Sequence, residues 1–306
     1  MKKKILAIQG SSLKKINIKT DTSFFLGLEA QKRNYDIYYY EPRDLTFVDG
    51  KVIARCCHVK FKNNLKKPIK ILKKCILNLI ETNLLLIRNE PPFNQQYINT
   101  TFILEHISKK IKIINDPRAL REVPEKLFSL RLTKFMPSTL ISEDLREIKK
   151  FFDKNKKVII KPLESYSGND VKLLNKFNKG QVTRYIKKYH HLMFQKFIPQ
   201  ISKGDKRVFI IDGKVKGAIS RLPERGSILS NMSKGASAKK IKITNQELKI
   251  SKIVASELKR KNIYFAGIDF IKGKLIGDIN VTSPTGLKTY YDLTGINLAE
   301  YFFDNI

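Results

Sequence analysis

Apolar and polar positions divide the chain into two halves of different rhythm. Residues 4–9 form an apolar run of strand length, and 22–34 places Phe25, Leu28 and Gln31 on neighbouring helical turns behind Asp21, a helix-capping residue type. Residues 37–40 read as a second strand, so a βαβ beginning is predicted. Asp49-Gly50 centres a tight hairpin over 48–52, and a Lys-rich polar segment fills 60–74. A strand at 84–87 ends in the loop Arg88-Asn89-Glu90-Pro91-Pro92, because proline cannot donate to a ladder. A helix over 95–108 and a strand over 111–115 complete an α/β unit.

Beyond Asp116-Pro117 short strands and loops dominate. The pattern predicts a helix over 143–155, a strand over 158–161 that stops at Pro162, a small-residue loop Ser165-Tyr166-Ser167-Gly168-Asn169, and a short strand over 171–174. A strand at 192–194 leads through Gln195-Lys196-Phe197-Ile198-Pro199 into two hairpins, 207–220 around Asp212-Gly213 and 267–281 around Lys272-Gly273. Neither an internal repeat nor a flexible linker is visible, so adjoining subdomains of one body are expected.

Composition adds a question of charge. The 306 residues carry 60 Lys plus Arg against 28 Asp plus Glu, a formal charge of +32, while 42% hydrophobic content suffices for a packed core and excludes a disordered tail. Clustered cations would signal a nucleic-acid binder. Here 47 Lys stand against 13 Arg and 39 Ile against 10 Ala, the substitution pattern of an AT-rich genome, and the excess is dispersed. Compositional drift is therefore the favoured cause and a polyanion-binding surface the rival.

Cys56, Cys57 and Cys75 are an odd number without an even framework, which favours a reducing compartment and a cytoplasmic location over a disulfide-stapled secreted domain. Met1-Lys2-Lys3-Lys4 has the charge of a signal-peptide start, but the apolar run behind it is too short and reads as the first strand. No run of about 18 uncharged apolar residues exists, so no membrane span is expected.

The strongest chemical signal lies in the last hairpin. Asp278 and Asn280 alternate along a strand and share a face. A two-residue turn at Lys272-Gly273 pairs Asp269 with Ile276 and puts Asp269 diagonal to Asp278, about 7–8 Å away on that face. Two carboxylates and an amide, without His or Cys, suit magnesium held jointly with substrate phosphates; solvated strand ends beside a turn are the competing reading. Lys161 closes an apolar strand and Lys126 opens a helical stretch, positions from which an ammonium can meet a polyphosphate, although most of the lysines must be solvated. The 165–169 loop can offer backbone N–H groups to phosphate but is not a P-loop, since no Gly-Lys-Ser/Thr follows. Cys56-Cys57-His58 lacks the spacing that turns two thiolates onto one zinc, His190-His191 read as a solvated helix end, and no Gly-x-Ser-x-Gly elbow occurs.

Several stretches, in one order from end to end, resemble the prokaryotic glutathione synthetase family, a branch of the ATP-grasp ligases. They are Ile16-Asn17-Ile18-Lys19-Thr20-Asp21-Thr22-Ser23-Phe24, Arg88-Asn89-Glu90-Pro91-Pro92-Phe93, Glu125-Lys126-Leu127-Phe128, Ile160-Lys161-Pro162-Leu163, Lys203-Gly204-Asp205-Lys206-Arg207-Val208 and Asp278-Ile279-Asn280-Val281-Thr282-Ser283-Pro284-Thr285. The resemblance implies a mixed α/β and α+β architecture: a Rossmann-like N-terminal (pre-ATP-grasp) domain over 1–120, then a two-part ATP-grasp fold with subdomains at 121–198 and 199–306 and a lid near 226–238. It implies ligation of glycine to the C-terminal carboxylate of γ-glutamylcysteine through an acyl phosphate, with ATP as co-substrate, Mg2+ as cofactor and Mn2+ as its substitute.

By the same likeness, Lys126 and Lys161 contact ATP phosphates, Ser167 and Gly168 cover them, Gln195, Lys196, Phe197 and Ile198 hold adenine, and Asp205 takes the ribose hydroxyls. Asp269, Asp278 and Asn280 hold the metal. Arg207 and Arg221 stabilise the transferring phosphoryl and the tetrahedral intermediate, while Ser23, Arg88, Ser283, Pro284 and Thr285 serve the peptide substrate. A homo-oligomer without specific nucleic-acid partners is expected. Two alternatives stand beside this reading: a ligase of the same fold with another acceptor amino acid, and a basic nucleic-acid-binding protein.

Overall fold

In the computed structural model, which describes residues 3–64 and 66–306, the N-terminal part builds a mixed seven-stranded sheet. Met1 and Lys2 of the basic start, and Leu65 of the Lys-rich segment, lie outside the described residues. The elements are β1 (Lys4–Gln9), α1 (Thr22–Lys32), β2 (Tyr35–Tyr40), β3 (Leu45–Val48), β4 (Lys51–Phe61), β5 (Ile69–Asn78), β6 (Leu84–Ile87), α2 (Gln95–Glu105), β7 (Lys112–Ile114) and α3 (Pro117–Glu122). Strands β2, β1, β6 and β7 are parallel neighbours, the Rossmann-like order that the βαβ pattern predicts, and β6 is buried at all four positions. Asp21 caps α1 by accepting from the Phe24 N–H at 2.7 Å.

The 60–74 segment departs from its reading as a polar connection. Strand β4 runs on to Phe61, turns, and returns as β5, an antiparallel partner along its whole length. Residues 70–74 are all exposed, Ile71 and Leu72 among them, and only Leu77 is buried, so no period-2 pattern marks the strand in the sequence.

A four-stranded antiparallel sheet follows, in the order β10 (Lys172–Leu174), β9 (Val158–Pro162), β11 (Leu192–Lys196), β8 (Thr139–Ser142), backed by α4 (Leu145–Asn155) and α5 (Lys179–Tyr189). Its core is private: Ile148, Phe152, Val158, Ile160, Leu174, Val182, Leu192 and Phe194 form a cluster of their own. Ile148 and Phe152 lie four apart on α4 and so present one apolar stripe to the sheet.

The third sheet is antiparallel, ordered β14 (Ser237–Lys240), β13 (Lys214–Leu222), β12 (Asp205–Ile211), β15 (Phe265–Ile271), β16 (Lys274–Asn280). Helix α6 (Asn245–Arg260) starts with a capping box between Thr244 and Glu247, and α7 (Leu287–Thr294) and α8 (Leu298–Asp304) close the chain. Core clusters run from the first sheet into the third, with Leu6 and Ile8 sharing one cluster with Phe209, Ile219 and Phe302. Asn115 knits the two: its amide nitrogen donates to Phe265 O at 2.8 Å and Val281 O at 2.6 Å, and its oxygen accepts from the Tyr264 and Phe265 N–H groups.

The last hairpin turns at Lys272-Gly273 as predicted, both residues having positive φ. Its register does not follow the predicted pairing of Asp269 with Ile276. Phe270 pairs with Leu275 but Ile268 with Ile279, so Asp269 alone faces Ile276, Gly277 and Asp278. Gly277 makes this bulge with φ +85°, and a Cβ there would stand 3.0 Å from Met136 Cε and 3.3 Å from Ser129 Oγ. Among the described residues no helix is long and apolar enough to cross a membrane.

Candidate active site

A cleft of about 900 Å³ opens between the second and third sheets, lined on one side by Lys161 of β9 and Gln195 and Lys196 of β11, and on the other by Arg207, Arg221, Asp269, Asp278 and Asn280. Phe197 and Ile198 continue the first wall, and Ser167 and Gly168 the rim. The strands explain the placement. Asp205 and Arg207 alternate along β12, and Arg221 of β13 is the register partner of Asp205, so the three side chains leave one face of the sheet and line the cleft.

Asp278 stands between two buried lysines. Lys161 Nζ lies 3.2 Å from its Oδ2 and Lys126 Nζ 3.7 Å from its Oδ1. Burial alone would raise the Asp278 carboxyl, but Lys161 and Lys126 outweigh it and hold the group below its ordinary value. Both lysines are tied further, Lys161 donating to Ile276 O at 2.8 Å and Lys126 to Ser165 O at 2.5 Å. Two cations thus share one carboxylate, leaving positive charge for a polyphosphate.

Asp269 is held by arginines. Arg207 donates to it through Nε at 2.5 Å and Nη2 at 2.7 Å, and Arg221 Nη2 lies 2.9 Å from Oδ2. Burial raises this carboxyl too, yet Arg207 and Arg221 pull it down to about 2. Arg221 also grips Asp205 through Nε at 2.8 Å and Nη2 at 2.5 Å. The Asn280 amide nitrogen sits 3.5 Å from Asp269 Oδ2. These three predicted metal donors are hard oxygen bearers on one wall, and their chemistry fits a magnesium ion. Among the described residues no three His, Cys, Asp or Glu side chains converge, so a magnesium ion held here would draw further oxygen ligands from phosphate or water.

A second cleft, of about 1000 Å³, is lined by residues of the first sheet's loops, including Ser23 and Arg88, together with Ser283 and Thr285. Arg88 is its buried cation. Its Nη2 donates to Pro284 O at 2.8 Å and its Nε to Ser23 Oγ at 3.2 Å, while Ser283 Oγ donates to Arg88 O at 3.1 Å. Burial lowers the Arg88 guanidinium to about 10, a sign of how completely it has lost water. Thr22 Oγ1 accepts from the Gly286 N–H at 3.1 Å, which fixes α1 against the same loop.

Some residues went unread in the sequence. Tyr166 lines both clefts. Ile228, Leu229, Ser230 and Asn231 of the expected lid line the first cleft, and Ser230 Oγ donates to Asp205 Oδ2 at 2.5 Å. Gly168, with φ +72°, is where lid and loop meet: a Cβ would fall 2.8 Å from Asn231 Oδ1. Glu125 also lines this cleft, bonded to the Thr282 hydroxyl at 2.9 Å. Contacts from the lid leave no periodic signal in a sequence, so the resemblance pointed to the segment but not to these side chains.

Comparison with known proteins gives this geometry a lineage. The chain is 34% identical over 311 residues to glutathione synthetase of Mesorhizobium japonicum, covering 100% of this chain and 98% of that protein. It is 35% identical over 315 residues to glutathione synthetase of Bradyrhizobium diazoefficiens, covering 98% and 97%. Among solved structures, the ATP-grasp ligase PsnB, complexed with a phosphomimetic variant of its minimal precursor, Mg and ADP, shares the fold with a TM-score of 0.62 at 15% identity, over 99% of this chain and 97% of that one. The profile of the prokaryotic glutathione synthetase N-terminal domain matches residues 5–121 and that of the prokaryotic glutathione synthetase ATP-grasp domain matches 125–295. With nearly the whole chain accounted for in this way, the protein belongs to the prokaryotic glutathione synthetase family and is an ATP-dependent ligase of the ATP-grasp fold.

Proposed function

We propose that this protein joins the amine of glycine to the C-terminal carboxylate of γ-glutamylcysteine, converting ATP to ADP and phosphate and yielding glutathione. The observation that carries the reading is the junction at Tyr166, where the cation-lined cleft of the ATP-grasp sheets borders the cleft built around Arg88. A nucleotide in the first and a peptide in the second would bring a terminal phosphoryl group to a carboxylate. Family membership supports ATP and γ-glutamylcysteine as the two.

The chemistry has two steps. The dipeptide carboxylate attacks the γ-phosphoryl group and ADP leaves; the amine of glycine then attacks the acyl phosphate, phosphate leaves, and the ammonium proton passes to solvent. A carboxylate is a poor electrophile, so the chain's task is to gather negative groups and hold them in line. Lys126 and Lys161 take the phosphates, the Ser167-Gly168 loop covers them, Gln195, Lys196, Phe197 and Ile198 flank adenine, and Asp205 accepts from the ribose. Asp269, Asp278 and Asn280 would hold Mg2+, with Mn2+ as a substitute, whose chemistry is to neutralise phosphate charge. Arg207 and Arg221 face the transferring group and the tetrahedral intermediate. Ser23, Arg88 and the Ser283-Pro284-Thr285 loop position the dipeptide, and the lid over 227–238 excludes water from the acyl phosphate.

Free thiols and the substrates themselves favour the cytoplasm, and a homo-oligomer is the assembly we propose. ADP release tests the reaction: it should require both γ-glutamylcysteine and glycine, with alanine and glutamate as poor acceptors. Preference for another acceptor would move the protein to a different ligase activity of the same fold. Steep, salt-sensitive binding of DNA without turnover would instead favour the nucleic-acid reading.

A further inference from the structure

The β4–β5 hairpin aligns two of the three cysteines. Cys56 and Cys75 are register partners across the antiparallel pair, so their side chains leave the same face of the sheet. Such partners have Cα atoms about 4.5–5.5 Å apart, inside the roughly 4.4–6.8 Å span that a disulfide bridges. Cys57, the next residue, points to the opposite face and is the register partner of Lys74 on this side and Tyr39 on the other. Of the three possible pairings, only Cys56 with Cys75 needs no turning over of a strand.

Their surroundings differ in a way that gives an order of attack. Cys56 is buried, its Sγ donating to Ala54 O at 3.5 Å, and burial, with Cys75 and Cys57 beside it, pushes its thiol up to about 12. Cys75 is half-buried, on a strand whose sole partner among the described residues is β4, so it is the more exposed of the two and the one a small reagent meets first. The catalytic clefts use neither residue.

We propose that Cys56 and Cys75 are a thiol–disulfide exchange site that takes low-molecular-weight disulfides, glutathione disulfide being the probe. The Cys75 thiolate attacks one sulfur of the small disulfide, breaking its S–S bond, forming a mixed disulfide and releasing one small thiol. The Cys56 thiol then loses its proton to solvent and attacks Cys75 Sγ, forming the Cys56–Cys75 bond and expelling the second small thiol. Two protein thiols are oxidised and one small disulfide is reduced to two thiols. The product staples β5, an edge strand, to β4.

The test is incubation of the full-length protein with excess glutathione disulfide, followed by acid quench, alkylation and peptide mapping. The expected result is loss of two of the three thiols, a product about 2 Da lighter, a linked peptide pair containing Cys56 and Cys75, and Cys57 still alkylated. Cys57→Ala should still lose two thiols, and Cys56→Ser should stop at a mixed disulfide on Cys75, about 305 Da heavier. Mapping that finds all three cysteines alkylated, or only Cys57 modified, or a bond that includes Cys57 or joins two chains, overturns the proposal. Because the readout is covalent mass, it stands apart from the ligase activity.

Discussion

Lys161 and Asp278 come from strands of different sheets, β9 and β16, and meet with Nζ 3.2 Å from Oδ2 across the cleft. Lys126 approaches the other carboxylate oxygen at 3.7 Å. One side chain therefore pairs with both lysines, and it lies in the stretch where β16 bulges at Gly277 opposite Asp269.

Replacing Asp278 with Asn keeps the shape and one oxygen acceptor but removes the charge shared by the two lysines and offered to the metal. We expect turnover to fall by about 10²-fold or more, with an unchanged circular dichroism spectrum. Retained activity at ordinary magnesium would remove Asp278 from the metal set.

Arg207 presents two donors to Asp269, a planar fork that an ammonium cannot copy. In Arg207→Lys the Asp269 carboxylate loses its orientation, and kcat should drop by roughly 10–100-fold while the KM for γ-glutamylcysteine changes little. Steady-state kinetics with each substrate varied will show it; unchanged kcat would take the fork out of the mechanism.

Much of this site was legible beforehand, for a physical reason. Lys161 closes the apolar run of β9, and Asp278 alternates with Asn280 on one face of β16, so strand periodicity alone puts these charges where a cleft or solvent can meet them. The Asp269 register was misread because ladder arithmetic assumes a regular hairpin, and Gly277 inserts residues into one strand only. The arginines were expected to act on substrate; that they are also tied to buried carboxylates depends on neighbours 16 and 62 residues away, which no local pattern records. Strand β5 was missed because residues 70–74 are all exposed, which leaves no alternation to read. The N-terminal βαβ order was readable since β1, β2 and β6 are short apolar runs.

Ser230 is buried and bonded to Asp205, tying the 226–238 segment, the proposed lid, to the wall of the first cleft. A hydrogen bond to a charged group contributes about 1.5–3 kcal/mol. Ser230→Ala should loosen the lid, so that acyl phosphate meets water and ADP is released in excess of glutathione formed. Measuring the two products in the same reaction checks this, and a ratio that stays at parity would mean that the lid closes without that bond.

Acid sensitivity should concentrate on Asp269. Its carboxyl, at 3.8 when unperturbed, is held at about 2 in the folded protein because Arg207 and Arg221 overcome the opposing effect of burial. A folded value below the unfolded one means that the folded state holds its proton less tightly. The contribution to stability is then fully present above 3.8 and is lost as pH falls toward about 2. Asp269→Asn should lack this part of the pH dependence. It should also be less stable at neutral pH by about 3–5 kcal/mol, since Arg207 and Arg221 keep their charge with one fewer carboxylate between them. Urea unfolding of both proteins at stepped pH separates the two effects: the curves should converge as the wild-type carboxylate is protonated. Asp278 is also held low, so the variant's slope should shrink without vanishing. Parallel curves across the whole range would show that Asp269 carries no charge of consequence in the folded site.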